Sequence, residues 1–225
     1  MQKQNTVPSY DRKYSAGGWK YDSLKEKKDL QVMLIAAGLK PPASIIEVAC
    51  GEGFHTNALH EMGYKVVGND FSQVGIQNAK IAYPHIEFIH GDSSELPEKV
   101  GREIFDALLV RGHSHHHYDL PLEEKSQKGI DVVQSTRAMF DMVKPGGAVM
   151  MTIKTDFTGT IHQGGILNNT IGAYNELFSL FGDIIWLSDR FGTLIRDDAH
   201  AREIGKIKGN RVVVVTRKSS RLSKL

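Results

Sequence analysis

The chain is predicted to be an α/β protein: a doubly wound, mostly parallel sheet of seven strands, with helices on both faces and a helical, aromatic arm at its N-terminus. Two observations predict it. From residue 44 onward, short apolar runs alternate with segments of helical period, and strands spaced by helices pack as crossover units. The first run, Ile45-Ile46-Glu47-Val48, breaks into Gly51-Glu52-Gly53 and restarts at once as a helix. A strand, a glycine turn and a helix N-terminus in succession offer backbone N–H groups to a nucleotide-like ligand.

Each element has its own signal. Residues 1–22 carry the polar and aromatic stretch VPSYDRKYSAGGWKYD and read as an arm rather than core. A helix starts near Ser23, with Ser23 as N-cap and Glu26 three positions on, and ends at Gly38 before Pro41-Pro42. Strands are predicted at 44–49, 65–69, 86–90, 104–110, 147–153, 183–188 and 211–216. Helices are predicted at 55–62, 73–82, 125–143 and 167–181. The segment TDFTGTIHQGGI, 155–166, holds too many Gly and Thr for either element and reads as a loop; so does 191–210, which can form a hairpin arm before the last strand.

Bulk properties exclude several classes. At 225 residues with 40% hydrophobic and 24% charged residues, the chain has the make-up of a globular domain, read as one unit over 1–225. A net charge of +2 selects no polyanion, so no nucleic-acid partner is expected, although Arg217, Lys218, Arg221 and Lys224 crowd the C-terminus. The single cysteine, Cys50, excludes an intrachain disulfide. No apolar run approaches the roughly 18 residues of a membrane span and the N-terminus has no signal-peptide core, so no membrane partner and a cytoplasmic location are expected. The final Ser223-Lys224-Leu225 is a peroxisomal address in a eukaryote and otherwise a chance match on a basic tail. Oligomeric state stays open, a homodimer included.

Ligands of such sheets bind beyond the carboxyl ends of the strands, which directs attention to the residues there. Asp70 follows the second strand about twenty residues past the glycine turn, where a carboxylate accepts both hydroxyls of a ribose. Asp92 follows the third, placed to accept from an adenine amino group. Together they describe an adenosine across strands one to three. A dinucleotide site wants Gly-x-Gly-x-x-Gly, but Thr56 stands at the third glycine position and Glu52 lies inside the turn. A carboxylate there repels pyrophosphate by about 1 kcal/mol even in high dielectric, and no P-loop exists. Glu47 adds a second acid. A cationic nucleoside suits these residues, and S-adenosylmethionine, with its sulfonium and ammonium, is the expected cofactor.

Five segments in order now resemble the motifs of class I S-adenosylmethionine-dependent methyltransferases: EVACGEGFHTNAL, VVGNDFSQVGIQNAK, FIHGDSSELP, FDALLVRGHSHHH and MVKPGGAVMMT. Within that superfamily the likeness is to glycine and glycine/sarcosine N-methyltransferases, through Val48-Ala49-Cys50-Gly51 and the Gly112-His113-Ser114-His115-His116-His117 run. Two departures, His113 in place of the family's Asn and no arginine after strand five, argue against glycine as substrate; Lys154 is nearest. The resemblance implies that Glu47, Ala49 and Gly51 line the methionine part of the cofactor. It further implies that Asp70 holds the ribose, Phe71 flanks the adenine, Asp92 and Ser93 cap its edge, Arg111 lends backbone, and Trp19, with Tyr21 and Tyr14, lies over the cofactor. On this reading residues 1–40 are the arm and first helix, 41–154 the cofactor-binding half and 155–225 the substrate-side half.

RGHSHHHYD lies where an acceptor meets the methyl group. His113, His115 and His117 alternate and share one side if extended, but no Cys or obvious carboxylate completes a metal site, and no metal is expected. His115 and His116 also suit backbone-bonding roles. An imidazole titrating near neutrality binds and deprotonates an acceptor; His113 is expected to contact the substrate and His117 to serve as acid/base partner. The loop 155–166, with His162, and the arm are expected to close over the site. The leading expectation is methyl transfer to a nucleophilic N or O of a small molecule. A nucleic-acid or protein methyltransferase, an NAD-dependent oxidoreductase and a non-catalytic binding module are the alternatives.

Overall fold

The computed structural model describes residues 7–113, 116, 131–155, 157–160, 169–208 and 211–219. Its strands are β1 (Ser44–Val48), β2 (Lys65–Asp70), β3 (Glu87–His90), β4 (Phe105–Arg111), β5 (Val143–Lys154), β6 (Gly182–Asp189) and β7 (Arg211–Lys218). They form one sheet in the order β3-β2-β1-β4-β5-β7-β6. Strands β1 to β5 pair in parallel, whereas β7 runs antiparallel between β5 and β6. The order reverses at β1, so the crevice between β1 and β4 is the topological switch point, the usual ligand position in such sheets.

The period-two alternation of the strands separates two cores. Ile46, Val48, Leu108, Val110, Val149 and Met151 face one way. They pack against α6 (Val132–Met142) and α7 (Ile171–Ser179) through Met139, Phe140, Leu177 and Phe178. Ile45, Ala107, Leu109, Met150 and Val213 face the other way. These meet Leu30, Met33 and Leu34 of α2 (Ser23–Ala36), and Ala58 and Leu59 of α3 (Phe54–Glu61).

Several boundaries differ from expectation. The arm contains a helix, α1 (Val7–Ser15), whose Tyr14 is buried. Helix α2 is capped by Asp22, which accepts from Lys25 N–H, one position before the expected Ser23. Its Glu26 turns inward to 7% exposure instead of closing a capping box. The helix expected at 125–143 is described from Val132, with Asp131 as its cap, and gives way at Val143 to a β5 five residues longer than expected. The segment 191–210 holds a helix, α8 (Asp198–Lys208), instead of a hairpin arm. Among the side chains described, Ala201 and Ile204, three residues apart, mark its buried face, and their period is lost among charged neighbours. Helices α4 (Gln73–Ala82) and α5 (Leu96–Val100) complete the set among the described residues.

Candidate cofactor and acceptor site

The turn after β1 is built on left-handed backbone: Ala49 has φ 59°, Gly51 58° and Gly53 78°. Glycine is required twice. A Cβ on Gly51 would stand 2.5 Å from the Tyr14 hydroxyl, and one on Gly53 would stand 2.6 Å from Phe88 Cζ. Asp70, at the end of β2 and 2% exposed, accepts from Gly51 N–H at 2.8 Å with Oδ2 and from Ser72 N–H at 2.8 Å with Oδ1. One carboxylate thus ties the glycine turn to the start of α4, where Ser72 is the N-cap. Burial raises the Asp70 carboxyl above the usual range, and those N–H groups pull it back.

Neither acid of the first motif lines an open turn. Glu47 is 1% exposed; its Oε2 accepts from Thr56 Oγ1 at 2.5 Å, and its Oε1 lies 3.7 Å from His55 Nδ1. Burial lifts its carboxyl from 4.5 to about 7 against the Thr56 bond and the nearby Arg111. Glu52 points outward. Its Oε1 accepts from Asn78 Nδ2 at 2.9 Å, and its carboxylate packs so closely on Gly18 that no Cβ fits there. The Cys50 thiol is buried and pushed well above its ordinary pKa by that burial, which suits packing and not thiolate chemistry.

The arm lies directly on this turn. Tyr14, 6% exposed, covers Gly51 and Gly75. Ser72 Oγ donates to Asp11 Oδ1 at 2.5 Å, fixing α1 to the cap of α4. Trp19 is 42% exposed and meets Tyr14 edge-on at 5.3 Å, and Tyr21 stacks on Phe54 at 4.8 Å. Phe71 touches the arm through Tyr10, ring centroids 5.1 Å apart. Beyond β3, Asp92 is exposed and caps the 3-10 turn Ser93–Glu95 by accepting from Ser94, while Ser93 is buried.

At the end of β4 the structure shows a network that sequence reasoning missed. The Arg111 side chain is 5% exposed; its Nη2 lies 2.6 Å from Glu26 Oε2 and 3.4 Å from Asp29 Oδ2. Arg190, after β6, places Nη2 2.5 Å from Asp29 Oδ2, and His55 Nε2 lies 3.1 Å from Glu26 Oε2. Sequence reasoning assigned Arg111 only its backbone. Charged residues on the buried face of α2 were the one available signal, since Glu26 and Asp29 fall beside Leu30 and Met33. Arg111 Nη1 is buried and meets no hydrogen-bond partner among the described residues.

The histidines divide. His113 follows Gly112, which has φ 75°, and its ring lies 5.7 Å from that of His116. His116 is 2% exposed and structural. Thr136 Oγ1 donates its only proton to Val132 O at 2.7 Å, so at 3.0 Å it must accept from His116 Nε2–H. Tyr174 donates to His116 O at 3.0 Å. His117, His115 and His162 lie outside the described residues, and the described ones hold no cluster fit for a metal ion. Of the loop expected at 155–166, Phe157 is buried in the core. No helix among the described residues is long and apolar enough to cross a membrane.

Residues 45–147 match the model of a methyltransferase domain family. The chain is 32% identical over 123 residues to an uncharacterized methyltransferase of Alkaliphilus oremlandii, covering 55% of this chain and 52% of the relative. It is 30% identical over 139 residues to a demethylmenaquinone methyltransferase of Lysinibacillus sphaericus, covering 59% and 49%. The chain thus spans about half the length of these curated relatives. Among solved structures, the N-methyltransferase NodS of Bradyrhizobium japonicum, in complex with S-adenosylhomocysteine, superposes with a TM-score of 0.67 at 14% identity, covering 96% and 99% of the two chains. The [4+2]-cyclase SpnF superposes equally well, at 0.66 and 16% identity over 95% of each. The fold is therefore common to different reactions, and closeness to glycine or sarcosine enzymes does not follow from these matches.

Proposed function

We propose that this protein transfers a methyl group from S-adenosylmethionine to a nucleophilic N or O of a small molecule. The observation that carries the reading is the Gly51–Asp70 pair. A left-handed glycine turn after β1 and a buried carboxylate at the end of β2 meet at 2.8 Å, beside the switch point. The donor set fits the cofactor. Each Asp70 oxygen accepts one backbone bond and keeps a lone pair for a ribose hydroxyl. Phe71 flanks the adenine, and Asp92 and Ser93 cap its edge. Ala49 and Gly51 approach the methionine part, Trp19 shields it from water, and Glu47 lies behind the turn. Arg111 supplies a spare buried N–H at the end of β4, suited to the methionine carboxylate.

When bound, the cofactor supplies a sulfonium-activated methyl group. The chain must then hold the acceptor in line and exclude water. His113 contacts the acceptor, and His117 is assigned the acid/base role for acceptors that arrive protonated. Release of S-adenosylhomocysteine from a panel of amines, phenols, thiols and carboxylates tests the proposal. Turnover with one class, falling ~100-fold in His113→Ala with cofactor affinity unchanged, is expected; no turnover with any class rejects it.

A further inference from the structure

A cavity of about 550 Å³ opens between the first two turns of α2 and the turn that follows β6, a volume typical of small-molecule sites. Strand β6 runs parallel to β5, since both pair antiparallel with β7. Asp189 therefore ends β6 on the same edge of the sheet where Arg111 ends β4. Asp29 joins the two places, as its Oδ2 lies 2.5 Å from Arg190 Nη2 in the cavity wall and 3.4 Å from Arg111 Nη2. The cavity thus lies on the β4–β6 side of the switch point, opposite the half assigned to the adenosine.

Its chemistry is one-sided. Lys25, Lys28, Asp29 and Val32 fall at positions i, i+3, i+4 and i+7, so they share one face of α2. Asp29 is neutralised by Arg190, whose Nε and Nη2 reach its two oxygens at 3.3 and 2.5 Å. Asp22 is committed to capping α2. The Lys25 and Lys28 ammonium groups, one turn apart and exposed, make no ion pair among the described residues. Beside them stand apolar surfaces: Leu24 is 67% exposed and Phe191 56%. Phe191 is held in place, because Asp189 Oδ1 accepts from its N–H at 2.8 Å and from Thr193 N–H at 2.9 Å.

We infer that this cavity is a second ligand site, apart from the acceptor position beside His113, and that its ligand carries a carboxylate on an apolar, ring-sized body. The carboxylate lies between Lys25 and Lys28, and the body packs on Phe191, Leu24 and Val32. This site does not rest on the methyltransferase reading.

The test uses benzoate, phenylacetate and 3-phenylpropionate, with their amides and the matching amines, measured by ligand-observed NMR on the full chain. The acids should bind at least about tenfold more tightly than the amines. The Lys25→Glu/Lys28→Glu variant should lose about tenfold for the acids with its dissociation constant for S-adenosylhomocysteine unchanged. Acidic residues in the first turns suit a helix, so this variant is expected to fold. Equal binding of acids and amines, or acid binding indifferent to the charge reversal, overturns the inference. Failure of the wild type to bind S-adenosylhomocysteine removes the methyltransferase reading and leaves this site to be judged on the same titrations.

Discussion

Replacing Glu47 by Gln should remove a pH-dependent penalty on folding. Glu47 is fully enclosed at the end of β1, and burial lifts its carboxyl from 4.5 to about 7. In the unfolded chain it ionises near 4.5. Between those values the folded state holds a proton that the unfolded state has released, so stability falls as pH rises. The contribution is full below pH 4.5, is lost progressively up to about 7, and is constant above. At about 1.4 kcal/mol per pH unit, the loss comes to about 3 kcal/mol. The substituted carboxamide keeps an acceptor for Thr56 Oγ1 and cannot ionise. Urea unfolding of both proteins from pH 3 to 8 brackets the window from 4.5 to about 7 and gives the difference directly, with other titrating groups cancelling. The variant should gain on the wild type by about 3 kcal/mol across that window, then hold level. Parallel curves, or a wild type that loses ground as pH falls below 4.5, would refute the reasoning, the latter because it would mean an ionised Glu47 held by Arg111.

Three further outcomes follow from the same geometry. Gly51→Ala should lower stability by about 1–2 kcal/mol in chemical unfolding, because the position has φ 58° and the new methyl meets the Tyr14 hydroxyl. Adding Tyr14→Ala should recover only the steric part. Asp29→Ala should lower the urea midpoint by the equivalent of about 3 kcal/mol, since it takes the closest anion from Arg190 and leaves Glu26 to face both Arg190 and Arg111; a loss under about 1 kcal/mol would mean the network is solvated. Asp11→Ala should speed tryptic cleavage at Arg12 and Lys13 without moving the global unfolding transition, because it frees α1 from Ser72 while leaving the cap of α4 intact.

The sheet was readable in the sequence because its signal is redundant. Ile45, Val48, Leu108 and Val110 sit in continuous apolar runs bounded by glycines, and a run buried on both faces has few other readings. Gly51 and Asp70 were readable for a related reason: their spacing is set by one strand–helix–strand unit, and they meet at 2.8 Å. The charged network was not. Glu26, Asp29, Arg111 and Arg190 come from segments up to 164 residues apart, and a charged residue on a helix reads as solvated until its partner is placed. Helix α8 was missed because the charges of Asp198, Arg202, Glu203, Lys206 and Lys208 obscure the apolar period to which the buried Ala201 and Ile204 belong. Glu52 was placed correctly in the turn, but no local pattern reveals that its carboxylate leaves the turn to hold Gly18 and Asn78.

The cofactor is the claim on which the rest depends, and isothermal titration of the purified chain with S-adenosylhomocysteine and with NAD addresses it most directly. S-adenosylhomocysteine should bind with 1:1 stoichiometry, and Asp70→Asn should weaken it at least about tenfold, with NAD giving no heat. Uptake of NAD, or S-adenosylhomocysteine binding that ignores the Asp70 substitution, would contradict the account.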